Sequence, residues 1–196
     1  MLSLPSIRRA VVLLVVASLN ALGALNQPIP PAWSAPDDPA KLEVRVEPTG
    51  GVRAVATLRL QAPPGIVQTV LTDYEKWPEL FGVRMRLAHL ERREDRVLTD
   101  LYIKHALLPG ERRLLCESRE LSDGGLVTTL VAGDFKQYHR TWKLSPDGSG
   151  AVTRAEFELL VEVDTWVPNW LMAMELRQNL ETHFRILKER VVERSR

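Results

Sequence analysis

From Pro168 to the end of the chain the sequence reads as one long amphipathic helix, and it follows a series of segments that alternate like strands. Trp170, Met174, Leu180, Phe184, Leu187 and Val191 follow i, i+3/4 spacing, with Glu175, Glu181, Lys188 and Glu189 off that stripe. About 25 residues at 1.5 Å each make a helix of about 38 Å. A helix that long needs a large apolar partner surface. A curved antiparallel sheet wrapped around it supplies one, which points to an α+β architecture.

The strands are read from period-2 alternation bounded by turn residues. Leu42 to Glu47 and Val52 to Gln61 flank Thr49-Gly50-Gly51, and Ala54, Ala56, Leu58 and Leu60 share the inward face of the second. Val83 to Leu90 follows, then a charged turn at Arg92 to Asp95, then a strand whose inward face is Val97, Thr99, Leu101 and Ile103. Arg112 to Arg119 returns after Pro109-Gly110. Leu126 to Val131, Tyr138 to Leu144 and Ala151 to Val163 complete the set, divided by Asp123-Gly124-Gly125 and Pro146-Asp147-Gly148. No internal repeat is visible.

Between the second and third strands lies APPGIVQTVLTDYEKWPELF, Ala62 to Phe81. Pro63 and Pro64 stop the extended run and suit a first helical turn. Ile66, Val67, Val70 and Leu71 form one apolar stripe. Thr72 followed by Glu75 has the spacing of a capping box, so a second short helix is expected from there.

Three blocks carry a family likeness across about Val52 to Val191: LTDYEKWPELF, GDFKQYHRTWKLSPDGSG (Gly133 to Gly150), and WVPNWLMAMELRQNLETHFRILKERV. In this order they resemble the START-like (SRPBCC) superfamily, in particular its polyketide cyclase/dehydrase and Coq10-type ubiquinone-binding members. The chain departs from that pattern at His139 and Arg140, where small residues, often glycine, are usual. The resemblance implies a helix-grip fold, START-like or Bet v 1-like, over residues 42–196.

Ahead of that domain, Arg8 and Arg9 precede an apolar run of sixteen residues, Ala10 to Leu25, in the manner of a secretory signal over residues 1–34. Ala32-Trp33-Ser34 and Ala21-Leu22-Gly23 are alternative cleavage sites, and the rival to cleavage is an uncleaved anchor. The run is short of the roughly 20 residues a membrane span needs. Gln27 to Asp38 is proline-rich and reads as flexible, and residues 35–41 are the linker to the domain. A secreted or periplasmic location is the expectation. With 26 Lys and Arg against 25 Asp and Glu, the net charge of +1 gives no basic footprint for a nucleic-acid partner. Cys116 is the single cysteine, so the domain has no internal disulfide and depends on its core.

The resemblance also implies an apolar cavity between sheet and long helix, suited to a lipid, polyketide or isoprenoid. Its wall would come from inward positions: Phe81, Met85, Leu101, Ile103, Trp142, Phe157, Leu159, Trp170 and Met174. Core stripes and cavity walls have the same composition, so filling a core is the alternative role for each. His105 extends the Val97-to-Ile103 face, Arg140 shares a face with Tyr138 and Trp142, and Arg177 falls close to the helical stripe. These three are candidates to meet a ligand head group or a quinone carbonyl. Their plainer roles are a solvated strand end for His105 and an ion pair for Arg177. Trp77 and Phe81 with Trp166 and Trp170 form a candidate aromatic entrance in passing contact with a membrane.

No catalytic constellation is evident. His89, His105, His139 and His183 lack short metal-ligand spacing, and Cys116 has no adjacent base. Glu117 and Tyr102 fall on the face opposite the apolar set, which counts against a cyclase. The leading expectation is therefore a non-enzymatic carrier or chaperone of a hydrophobic small molecule, with a lipid or quinone as ligand and no cofactor. A cyclase or dehydratase and an envelope interaction module are the alternatives.

Overall fold

The computed structural model describes residues 40–196. The apolar run from Ala10 to Leu25, both cleavage sites and most of the linker lie outside them. Eight strands form one antiparallel sheet: β1 (Lys41–Val46), β2 (Val52–Leu60), β3 (Arg84–Arg93), β4 (Arg96–Lys104), β5 (Glu111–Glu120), β6 (Leu126–Gly133), β7 (Phe135–Asp147) and β8 (Val152–Val163). Their order across the sheet is β1-β2-β8-β7-β6-β5-β4-β3. The chain thus closes β8 against β2, and the helical corner between β2 and β3 crosses from one half of the sheet to its far edge. This is the curved sheet and long C-terminal helix of the helix-grip fold.

Alternation decides which face is wet. On β2, Val52, Ala54, Ala56, Leu58 and Leu60 are buried, and Arg53 points outward to pair with Glu47 and Glu158. On β4 the buried face is Val97, Thr99 and Leu101, while Asp100 takes a two-pronged bond from Arg113 at 2.9–3.2 Å. Strand bounds differ slightly from the sequence pattern. β3 runs on to Arg93, pairing with Arg96, so the charged turn shrinks to Glu94 and Asp95. A bulge at Ala88, between the Leu87 and His89 pairings, shifts the inward phase of β3.

The corner consists of α1 (Pro64–Leu71), a 3₁₀ turn (Tyr74–Lys76) and α2 (Trp77–Leu80). The expected capping box at Thr72 and Glu75 does not form. Thr72 ends α1, and its hydroxyl donates back to the Gln68 carbonyl at 2.9 Å, leaving it unable to cap the next helix. What anchors the corner is Trp77, whose indole N–H donates to the Leu71 carbonyl at 2.9 Å.

The last helix, α3 (Asn169–Arg194), has 26 residues and begins behind Pro168. Its buried side chains are Leu180, His183, Phe184, Leu187 and Val191. Phe184 meets Phe157 at 5.2 Å and Trp142 at 6.1 Å between ring centroids, so the C-terminal half of α3 lies directly on the sheet.

Candidate functional site

The N-terminal half of α3 does not close on the sheet in the same way. β6 and β7 pair only from Leu126↔Trp142 to Thr129↔His139. Beyond that point β6 stays with β5 as far as Gly133, and β7 stays with β8 as far as Phe135. The sheet forks there. Gly133 makes the hairpin possible at its tip: its φ of +129° and the close approach of the Arg113 carbonyl leave no room for a side chain.

Beneath the fork is a cavity of about 160 Å³. Its wall is mostly apolar: Val83 just before β3, Met85 on β3, Leu101 and Ile103 on β4, Leu114 and Cys116 on β5, and Leu159 and Val161 on β8. Trp77 and Phe81 close it from the corner, and Asn169, Met172, Glu175, Leu176, Asn179 and Leu180 roof it from one face of α3.

The residues singled out from sequence divide into two sets. Phe81, Met85, Leu101, Ile103, His105 and Leu159 all line this cavity. Trp142 and Phe157 do not. They are register partners on β7 and β8, their rings tilted at 56° with centroids 4.7 Å apart under Phe184, and fill the core. Trp170 and Met174 face outward, 66% and 47% exposed. The six residues from Met174 to Leu180 turn the helix by about 600°, so these two positions are out of phase with the buried stripe. Arg177 is also outside the cavity, where it donates to the Leu42 carbonyl at 3.2 Å and ties α3 to β1 rather than pairing with an acid. The four-membered aromatic entrance does not assemble either. Trp77 packs on Tyr74, Phe81 stacks on His183, and Trp166 is 84% exposed.

Polar groups enter the cavity at two places. At one end His105 lies 3.2 Å from the Asn179 amide and 3.6 Å from the Glu175 carboxylate, while its other ring nitrogen accepts the Leu107 N–H. At the other, Arg140 projects from β7. It is 4% exposed, and it is one of the two residues at which the chain departs from the small-residue pattern that the resemblance implies. Its guanidinium carbon stands 4.4 Å from the Trp77 ring centroid and 5.9 Å from that of Phe81. One terminal nitrogen donates to the Thr128 hydroxyl at 3.3 Å, and that hydroxyl also bonds Ser118 at 2.9 Å. The Arg140 Nε has no partner, and no carboxylate pairs with the group among the described residues.

Other ionisable groups around Arg140 are held neutral. Burial pushes the Cys116 thiol up to about 12, with the Arg140 charge opposing. The Tyr138 hydroxyl is raised for the same reason, again against the Arg140 charge. Behind the cavity wall, His183 donates from Nδ1 to the Leu80 carbonyl at 2.7 Å, and burial lowers it to about 4. Of the remaining histidines, His89 and His139 are exposed on the sheet. The signal in the sequence that sets Arg140 apart is its coincidence with a position where the resemblance implies a small residue. Trp77, Tyr138, Met172, Leu176 and Asn179 carry no mark separating cavity wall from core.

Comparison with known proteins agrees with this fold. Residues 60–183 match the family model described as polyketide cyclase/dehydrase and lipid transport. The fold is similar to a STAR-related lipid transfer protein from Xanthomonas axonopodis, with a TM-score of 0.63 and 16% identity over 79% of this chain and 94% of that one. It is also similar to the protein TTHA0849 from Thermus thermophilus, with a TM-score of 0.59 and 22% identity over 74% of this chain and 99% of that one. The Zhui aromatase/cyclase from Streptomyces sp. R1128 has a TM-score of 0.56 and 10% identity over 78% of this chain and 94% of that one. No curated protein matches in sequence. With a family match from the end of β2 to the middle of α3 and a helix-grip fold around an apolar cavity, the chain belongs to the START-like polyketide cyclase/dehydrase and lipid transport family.

Proposed function

We propose that this protein binds and carries a hydrophobic small molecule in the cavity under α3, without chemistry, outside the cytoplasm. The observation that carries this reading is the cavity itself, walled by Met85, Leu101, Ile103, Leu114 and Leu159 where a filled core would otherwise be expected. Burial of an apolar ligand there would supply affinity at about 25 cal/mol per Å², with a few polar groups setting orientation. A lipid, an isoprenoid or a quinone fits that chemistry. The lipid transport for which the family is named, and the lipid transfer neighbour, lend support. The export part of the proposal rests on Arg8, Arg9 and the apolar run behind them. Trp166 and Trp170 flank Asn169 at the roof of the cavity, and we assign them contact with a membrane during loading.

Native mass spectrometry with lipid extraction, on protein purified from the periplasm of an expressing cell, tests the proposal. A co-purifying lipid, isoprenoid or quinone at near-stoichiometric amount is expected. A clean protein that also takes up no hydrophobic fluorophore would remove the carrier reading, and retention in the cytoplasm with the leader intact would remove the export part.

One observation favours an enzyme of the cyclase or dehydratase type as a second reading: His105 and Glu175 lie together on the cavity wall. The cavity-facing groups with displaced pKa values, Cys116 and Tyr138, are shifted away from ionisation, so neither supplies a thiolate or phenolate, which favours the carrier. Turnover of a linear polyketide analogue, lost in His105→Ala, would reverse that preference.

A further inference from the structure

We propose that the ligand is an amphipathic anion whose oxygen head group seats on Arg140, its apolar chain extending towards Met85 and Ile103. This rests on the carrier reading and adds the chemical class of the cargo.

The argument starts from cost. A guanidinium cannot shed its proton, so burial leaves Arg140 charged. An isolated buried charge is strongly unfavourable unless it is paired and its donors are used. Here one N–H reaches the Thr128 hydroxyl, the guanidinium carbon lies over the Trp77 ring, and Nε has no acceptor. The two acids on the cavity wall are engaged elsewhere, Glu175 near His105 and Glu162 near Lys136 at 3.9 Å. Within the described residues the site therefore offers a fixed positive charge and an empty donor but no counter-charge.

A neutral head group such as an alcohol or a quinone carbonyl would accept one hydrogen bond and leave the charge uncompensated. A carboxylate or phosphate supplies both the acceptor and the charge, and a carboxylate matches the planar fork in two-pronged geometry. Neutral Cys116 and Tyr138 add no competing negative charge. The position also keeps the fork fixed: Arg140 and Thr128 are cross-strand partners just inside the last pairing of β6 with β7.

The test compares laurate, dodecyl phosphate and dodecanol, one chain with three head groups, by isothermal titration calorimetry on the full chain below micellar concentrations. Laurate or dodecyl phosphate is expected to bind at least 10-fold more tightly than dodecanol, and which of the two is tighter identifies the head group. Arg140→Met is expected to erase that preference, bringing the three affinities to within about 3-fold of one another. Equal affinity for all three in the wild-type chain overturns the anion assignment and leaves the carrier reading standing. Binding of none of them overturns both. A preference that survives in Arg140→Met places the anion on surface charge and also overturns the assignment. Should Arg140→Met fail to fold, Arg140→Gln carries the same comparison, and the wild-type series alone remains decisive.

Discussion

The Arg140 guanidinium lies 4.4 Å from the centre of the Trp77 ring, joining strand β7 to the helical corner across the cavity wall. Trp77 in turn donates to the Leu71 carbonyl, so the cation rests on a ring whose own position is fixed. The contact softens the burial of the charge without neutralising it. A cation–π contact is worth about 0.5–2 kcal/mol, less than the several kcal/mol an unpaired buried ion costs.

Arg140→Met should therefore stabilise the ligand-free protein. Removing the charge while keeping much of the side-chain volume is expected to gain about 1–2 kcal/mol, or about 2–8 °C in Tm for a chain of this size. Thermal denaturation of delipidated wild type and variant checks this. A fall of the same size would mean that Arg140 has a structural counter-charge.

His183 predicts acid sensitivity. Its folded pKa is lowered from 6.5 to about 4, first by burial, with the Leu80 hydrogen bond opposing and the Arg140 charge reinforcing. Above pH 6.5 the ring is neutral folded or unfolded and stability is unaffected. Between 6.5 and 4 only the unfolded chain takes up the proton, so stability falls as pH drops, by roughly a few kcal/mol in total. His183→Asn keeps a donor for Leu80 and should flatten that part of the urea midpoint-versus-pH curve. An unchanged slope would assign the acid sensitivity to other groups.

The two halves of α3 should respond differently to truncation. Phe184→Ala removes a ring packed on Trp142 and Phe157 and should cost about 3–5 kcal/mol in chemical denaturation. Met174→Ala, at a position 47% exposed, should stay within about 0.5 kcal/mol. Comparable losses at both sites would contradict the helical phase described above.

Cys116 should be inert in the native state. It is fully buried and its thiol is pushed up to about 12, so the thiolate that a disulfide reagent needs is scarce. Reaction with such a reagent at pH 8 should be slow in buffer and fast in urea. Rapid native reaction would show that the cavity opens widely to solvent.

Trp166 and Trp170 carry the membrane-contact proposal, and neither contributes a ring contact among the described residues. A Trp166→Ser, Trp170→Ser double variant should retain stability within about 0.5 kcal/mol per site. It should lose most of its association with phosphatidylcholine–phosphatidylglycerol vesicles in a flotation assay. Undiminished association would move the contact elsewhere.

Most of the architecture is legible in the chain alone, because it depends on local periodicity. Alternation along Val52 to Leu60 and Val97 to Ile103 sorts side chains onto two faces whatever lies beyond them, and Pro168 starts a helix for backbone reasons. Where local signals compete, periodicity misleads. The Thr72 hydroxyl joins its own backbone N–H on the Gln68 carbonyl instead of capping ahead. In α3 the apolar stripe drawn through Trp170 and Met174 loses phase before Leu180, because the cavity-facing turn there is carried by Met172 and Leu176.

The site is legible only in part. Met85, Leu101, Ile103 and Leu159 line a cavity while Trp142 and Phe157 fill a core, yet all six are inward and apolar. What separates them is whether α3 lies directly on the strand beneath, and that follows from the fork between β6 and β7 after Thr129 and His139. Inward direction is a property of each strand and is carried by its own residues. Emptiness is a property of the space between two elements, and only the tertiary structure decides it.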